Sequence, residues 1–570
     1  MNPNKNQLMK LWSTKIFLYI LAFSILALNS CMETESSKMR KKLEKFISEF
    51  EVKIIPLNSQ YNLAAYLAST TGKEEDYKKA TNLEVLLSKI YSNKENFELL
   101  KTIKKSELIT DPQLKRQLEI LYNTFLIHQI DEQKQLEIIM LETEISKKYS
   151  TYRPIINEKE ISDTQIEGIL SQSTDTEELQ KYWRASKKVG REIDEDMVKL
   201  VKMRNSVAEQ LGFNTYYEMM LITSGQNPDE LDNIFDELDI STRGPYTQLK
   251  DQIDEYLASR YKIPKEQLMP WHYQNRFFQE APKIFDINYD NYYASKDVVG
   301  LDNDYYSSIG LDISKILEKS DLFEKAGKSQ HNFSSDIDRM GDVRIIANLK
   351  NNQYSMYALL YESGVSSYYK FIDSKRPFIL KQPPHPFVAE AIGTLFGNLS
   401  QNPDWLKNYV GISTEEYSKI QKISAHQLRL NKFVFSRWAQ VMFRFERELY
   451  QNPNQDLNTL WWNLVENYQM IRRPKLRNEP DWATKVHLIT NPCTYHNYML
   501  GEMLAAQLNE YIVKNITNGK DISMKNKDIG KFFIEKIFEK GASDSWNSTI
   551  YKATGDSLSA EYFSRQFINL

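Results

Sequence analysis

Tyr357-Ala358-Leu359-Leu360-Tyr361-Glu362-Ser363-Gly364-Val365-Ser366-Ser367-Tyr368 is the stretch on which the reading of the fold turns. Tyr357, Tyr361, Val365, Tyr368 and, further on, Ile372 recur at intervals of four, four, three and four, the spacing of one face of an amphipathic helix. Just upstream, Val343, Ile345, Ala347 and Leu349 alternate with Asp342, Arg344, Ile346 and Asn348. That period of two predicts a strand from Gly341 to Lys350, ended by Asn351-Asn352, and a free edge on it would suit pairing with an extended peptide. Downstream, a loop with Pro377, Pro383, Pro384 and Pro386 leads into Ala389-Glu390-Ala391-Ile392-Gly393 and Gly397. Glu390, Gly393 and Gly397 share a helical face, and the two glycines let this helix approach a neighbour closely.

The frame of the central helix is that of a metal motif with two ligands replaced. In H-E-x-x-H, two imidazoles at i and i+4 share a helix face, and the Glu beside the first can take a proton from metal-bound water. Here Tyr361 and Val365 stand at the two His positions and Glu362 at the base position. The arrangement resembles the peptidyl-dipeptidase A family, the angiotensin-converting-enzyme-like zinc metallopeptidases, and especially its bacterial branch. In that family an E-A-I-G-type helix about two dozen residues after the second His supplies the third ligand, and Glu390 is so placed after Val365.

Further segments carry the resemblance over residues 40 to 567. They are Pro270-Trp271-His272-Tyr273 with Phe277-Phe278-Gln279-Glu280, Asp336 to Arg344, Lys485-Val486-His487, and Tyr495-His496-Asn497-Tyr498-Met499-Leu500-Gly501-Glu502. The resemblance implies a mainly α fold, a large helical zincin-type domain with a deep central cleft and a small β-sheet beside the active-site helix. It also implies roles. Lys485 and Tyr495 would hold a substrate C-terminal carboxylate, His487 would bind a substrate carbonyl, and Tyr498 would donate to the oxyanion. An ammonium beside a phenol suits a carboxylate, and a second phenol suits charge that develops at the tetrahedral stage. The alternative is that Tyr495 and Tyr498 line a helix core with Met499 and Met503.

Ligand chemistry weighs on the metal. Catalytic zinc usually takes three protein donors, and Glu390, with Glu362 nearby, is what remains of the family set. Valine has no donor atom, and a tyrosine phenolate is costly at a pKa of about 10. The histidines are His128, His272, His331, His385, His426, His487 and His496, and none has a partner at i+4. An isolated His272 reads as a packing residue, and prolines on both sides hold His385 in a loop. No bound cofactor is therefore expected, although the family uses zinc. Without the ion, Glu362 and Glu390 are expected to repel each other and raise a pKa, with a Tyr361 hydroxyl bond to Glu390 as relief.

The chain begins with Lys5, Lys10 and Lys15 before a 13-residue, mostly apolar run from Ile16 to Leu28, followed by Asn29-Ser30-Cys31. This predicts a lipoprotein signal peptide over 1–30, lipidation at Cys31, and export to a lipid-anchored place in the bacterial cell envelope; the alternative is an ordinary signal peptide with an incidental cysteine, which also places the mature chain outside the cytoplasm. Cys493 is the other of the 2 cysteines, so a lipidated Cys31 leaves no intramolecular disulfide. Residues 31–570 read as a single domain, with 33–150 as a helical cover and 151–570 carrying the cleft and former metal site. Glycine and proline are sparse (19 and 18 in 570), so no flexible linker divides the chain. A net charge of −3 gives no signal for nucleic acid.

Three functions fit this sequence. The leading one is a catalytically inactive peptidase homologue, a monomer that binds a peptide or protein ligand in its cleft. The others are an active peptidyl-dipeptidase with replacement ligands, and an interaction scaffold with a vestigial cleft.

Overall fold

The computed structural model describes residues 34–567; the signal segment and Cys31 lie outside them. Helix α1 (Glu35–Thr71) starts where the Thr34 hydroxyl accepts from the Ser37 amide and stops where Gly72 takes φ 66°. The basic residues of its first turns pair along the helix, Lys38 with Glu35, Arg40 with Glu44 and Lys45 with Glu49. That is the solvated helix face such a charge run ordinarily makes.

Helices α2 (Lys94–Ser106) and α3 (Pro112–Ile127) pack on α1 around a cluster of their own, with Phe46, Phe50, Leu100 and Phe125 at its centre. Phe378 and Ile379, from the proline-rich loop, join this cluster and tie it to the rest of the chain. The main core is a separate, much larger cluster running from Leu141 to Phe567. The expected mainly α architecture is what the described residues adopt, with two small two-stranded sheets among them, β1 (Ile155–Ile156) with β2 (Lys159–Glu160) and β3 (Phe333–Asp336) with β4 (Val343–Ile346). Among the described residues, no helix is long and apolar enough to cross a membrane.

The alternating stretch forms a shorter strand than its pattern suggests, and its far edge is covered. β4 pairs antiparallel with β3 on one side, Phe333 opposite Ile346 and Asp336 opposite Val343. On the other side Asp321 bridges to Ile346, and the Ala347 and Leu349 amides donate to the Asp321 and Leu322 carbonyls. The buried Lys328 ammonium pins that segment by reaching the Asp321 carboxylate and the Asp321, Phe323 and Ala347 carbonyls. β4 thus has a neighbour on each edge, while β3 has β4 as its strand partner among the described residues.

Helix α4 (Gln353–Lys370) carries the central motif. Asn352, which the sequence reading places at a strand end, is its N-cap and accepts from the Ser355 amide. Helix α5 (Pro386–Gly397) packs between α4 and the later α7 (His496–Asn515), with α6 (Thr414–Gln451) against α7. The α4–α5 approach depends on glycine. A Cβ at Gly393 would sit 2.9 Å from the Tyr361 ring, and one at Gly397 would sit 3.0 Å from the Tyr357 ring. Both phenol rings therefore lie directly on the α5 backbone.

Candidate functional site

α4, α5 and α7 bring Tyr361, Glu362, Glu390 and Tyr498 to the wall of one cavity of about 430 Å³. Tyr357 and Tyr361, one turn apart on α4, stack at 6.0 Å and 24°. Glu362 lies on the same helix but is 7% exposed. The Ser334 hydroxyl of β3 lies 2.7 Å from Glu362 Oε2 and 2.8 Å from its carbonyl oxygen, and the Ser366 hydroxyl donates to Ser334 at 3.0 Å. Behind the motif, the Ser363 hydroxyl donates to the buried Asp302 carboxyl at 2.7 Å, and the Tyr306 hydroxyl donates to the Leu360 carbonyl at 2.6 Å. These bonds fix α4 from the face opposite the cavity.

Burial pushes the Glu362 carboxyl up to about 7, with the Ser334 contacts opposing it, and burial also raises Glu390. The expected rise is present, but its cause is desolvation and not repulsion between the two groups. Nor does a Tyr361 bond to Glu390 form among the described residues; the Tyr361 ring lies against Gly393. A carboxyl raised from 4.5 to about 7 on folding binds more protons folded than unfolded, so its stabilising effect is present below pH 4.5 and lost as pH rises to 7. The effect is worth up to about 3 kcal/mol. Glu362→Gln should remove it, giving thermal midpoints between pH 5 and 8 that decline less than wild type and end higher at pH 8.

The second group of residues lies where the loop after Pro480 meets α6 and α7. Lys485 is 6% exposed, and its ammonium donates to Gln279 Oε1 at 2.7 Å. Aromatic rings surround it, Phe277 at 5.4 Å, Trp438 at 5.2 Å and Tyr495 at 5.3 Å from Nζ to centroid. No carboxylate lies within ion-pair distance of it among the described residues, and burial lowers its pKa to about 8, with Glu280 opposing. The Tyr495 hydroxyl accepts from Trp438 Nε1 at 2.8 Å and keeps its own proton free to donate. Burial lowers His487 to about 4, helped by Lys485, so its imidazole is neutral at pH 7, and its buried Nδ1 has no partner. His487 meets Tyr495 edge-on at 5.4 Å, and Tyr495 meets Tyr498 at 5.3 Å. Tyr498 is 51% exposed, which rules out the core-lining alternative for it, while Tyr495 is buried.

A family model described as angiotensin-converting enzyme matches residues 37–275 and 279–568. The chain belongs to the angiotensin-converting enzyme family. Among curated relatives, the angiotensin-converting enzyme of Haematobia irritans exigua is 24% identical over 457 residues, covering 70% of this chain and 72% of the relative. That of Theromyzon tessulatum is 22% identical over 489 residues, 78% of each. The inactive angiotensin-converting enzyme-related protein of Caenorhabditis elegans is 20% identical over 199 residues, 34% of this chain and 22% of the relative.

The angiotensin-converting enzyme family is one of zinc peptidases, and the donors of this member do not fit a tightly held zinc ion. Val365 is buried without a donor atom, Tyr361 offers a phenol braced against Gly393, and no group of three or more His, Cys, Asp or Glu is placed to hold a metal among the described residues. Among the described residues no histidine joins Glu362 and Glu390 in a group of three or more donors placed to hold a metal. His272 is buried, with Nδ1 accepting from the Met269 amide at 2.9 Å and Nε2 3.3 Å from the Thr176 hydroxyl. His385 ends the proline-rich loop as the N-cap of α5, its Nδ1 accepting from the Phe387 amide at 3.2 Å. His331 does line the cavity, beside β3.

Four contributors escaped the sequence reading. Gln279 lies in a quoted segment, but its pairing with Lys485 spans 206 positions; Ser334 reaches the Glu362 carboxyl, and His331 and Glu502 reach the cavity, with no periodic signal of their own.

Proposed function

We propose that this chain is a catalytically inactive member of its family, exported and anchored by lipid at Cys31 in a bacterial cell envelope, that binds peptides by their C-terminal carboxylate. The observation that carries the reading is the contrast between the two ends of the site. At one end Lys485, Gln279 and Tyr495 converge with donor capacity to spare, and a buried ammonium that lacks a carboxylate is stabilised when a ligand brings one. At the other, Tyr361 and Val365 stand where a peptidase needs imidazoles. The relative named inactive supports the same reading, since it lies within the same family.

In a bound peptide, the Lys485 ammonium and the Tyr495 hydroxyl hold the terminal carboxylate, neutral His487 donates to a backbone carbonyl, and Tyr498 donates to the next polar atom along the cleft. The test is calorimetry with a peptide acid and its C-terminal amide. The acid should bind and the amide should bind at least about ten-fold more weakly, because the amide removes the charge Lys485 meets. Equal affinities would remove the carboxylate from the account.

Anchoring is tested separately. Cys31→Ser should shift the protein from the membrane fraction to the soluble fraction without changing its thermal midpoint, because no contact of the core among the described residues involves position 31. An unlipidated mature N-terminus elsewhere in the wild type would contradict the anchor.

A further inference from the structure

We propose that the cavity walled by Tyr361, Glu362 and Glu390 is a pocket for an organic cation, the lysine or arginine side chain of the bound peptide near its C-terminus. The inference rests on the reading that the cleft binds peptides, and it names the class of peptide.

The walls of the cavity are of two kinds. Tyr354, Tyr357, Tyr361, Phe435 and Tyr498 supply ring surface, and Glu362, Glu390 and Glu502 supply carboxylates. The ring surface is built to stay in place, with Tyr357 and Tyr361 stacked on each other and laid against Gly397 and Gly393. The carboxylates differ in how far their charge is already answered. Glu502 is paired with the Lys432 ammonium at 2.6 Å. Glu390 has neither hydrogen bond nor ion pair among the described residues. Glu362 is more than nine-tenths buried, yet only Oε2 has a partner, the Ser334 hydroxyl, and Oε1 has none. Two carboxylates thus reach the cavity without a cation.

A metal ion is poorly served there: among the described residues no three His, Cys, Asp or Glu side chains are placed to hold one, and positions 361 and 365 offer zinc no nitrogen or sulfur donor. A lysine or arginine side chain has an apolar stem that can lie along the rings and a charged head that gains from both ring faces and carboxylates. Cation–π attraction draws such a head to the faces of the braced Tyr357–Tyr361 pair. The place within the peptide follows from the Tyr495–Tyr498 contact. Tyr495 belongs to the Lys485 group and Tyr498 to the cavity, and their rings are 5.3 Å apart. A peptide anchored by its carboxylate at Lys485 would therefore bring one of its last side chains to the cavity.

The experiment uses the full mature chain and N-acetylated alanine tetrapeptides with a single lysine or norleucine at each position in turn. Calorimetry should find one position at which lysine binds about ten-fold more tightly than norleucine. That preference should fall below about two-fold in Glu390→Gln and in Glu362→Gln, whereas Lys485→Met should weaken both peptides alike. n-Butylammonium alone should bind the wild type and compete with the lysine peptide. Should a Glu variant fail to fold, the wild-type comparison of lysine with norleucine still decides the matter. Peptides that bind without lysine preference at any position overturn the cation pocket and leave peptide binding standing. No binding by any peptide overturns both, and one equivalent of zinc that expels n-butylammonium overturns the pocket as an organic-cation site.

Discussion

Replacing Tyr361 and Val365 together by histidine should raise zinc affinity by about a thousand-fold or more over the wild type. The two positions are one helical turn apart on α4, so two imidazoles there would share the face that Tyr361 presents to Glu390, restoring two of three protein donors. Structural zinc sites with four ligands gain about 10–16 kcal/mol, so a pair of ligands is worth several kcal/mol even after the cost of an incomplete outer shell. Val365→His places a polar ring in a packed position and should lower the metal-free thermal midpoint. Zinc should then raise the midpoint of the double variant and leave the wild type unmoved. Competition with a chelating dye, with each single variant as a control, measures the affinity. A wild type that already holds zinc as tightly as the double variant would show that other ligands supply the site.

Replacing Lys485 by methionine should weaken binding of a peptide acid by about a hundred-fold or more, because truncating one partner of a buried charge pair typically costs about 2–5 kcal/mol. Methionine keeps apolar contact with Phe277, Trp438 and Tyr495, so the loss is of charge and donors more than of packing. The unliganded variant should be more stable than wild type below pH 8, since burial disfavours the ammonium and lowers its pKa from 10.5 to about 8. Weaker binding together with greater stability distinguishes a ligand-binding role from a structural one. The same pKa sets the pH dependence of the wild type. A peptide carboxylate is ionised throughout the neutral range, so affinity should be level up to about pH 7. It should then fall about ten-fold per pH unit above pH 8, as Lys485 loses its proton. Titrations from pH 6 to 10 check this, and the Lys485→Met variant should show no such fall.

The features legible in the sequence are those written in local spacing. The periodicity from Tyr357 to Tyr368 and the Glu390-Gly393-Gly397 face give two helices that meet through glycine, as the structure has them. The grouping of Lys485, His487, Tyr495 and Tyr498 comes from the family resemblance and not from spacing, and in the structure Tyr495 touches both His487 and Tyr498.

What stayed hidden depends on partners far along the chain. Alternation from Val343 onward marks a strand but cannot say which edge is free, because that is decided by Asp321 and the Lys328 ammonium that ties it down. Gln279 is an ordinary polar residue until Lys485 folds against it. The raised carboxyls were legible in direction only. Two glutamates near one site suggested repulsion, whereas the depth at which Glu362 is held, a property of the packing of α4 against β3 and α5, is what shifts it.

The central claim is that the cleft holds peptides by their carboxylate and leaves them whole. It is tested most directly by incubating a peptide acid that binds with the protein as purified, with and without a metal chelator, and following the peptide by mass spectrometry. The account predicts an unchanged peptide mass in both samples and chelator-insensitive binding. Loss of a C-terminal dipeptide that the chelator abolishes would contradict it.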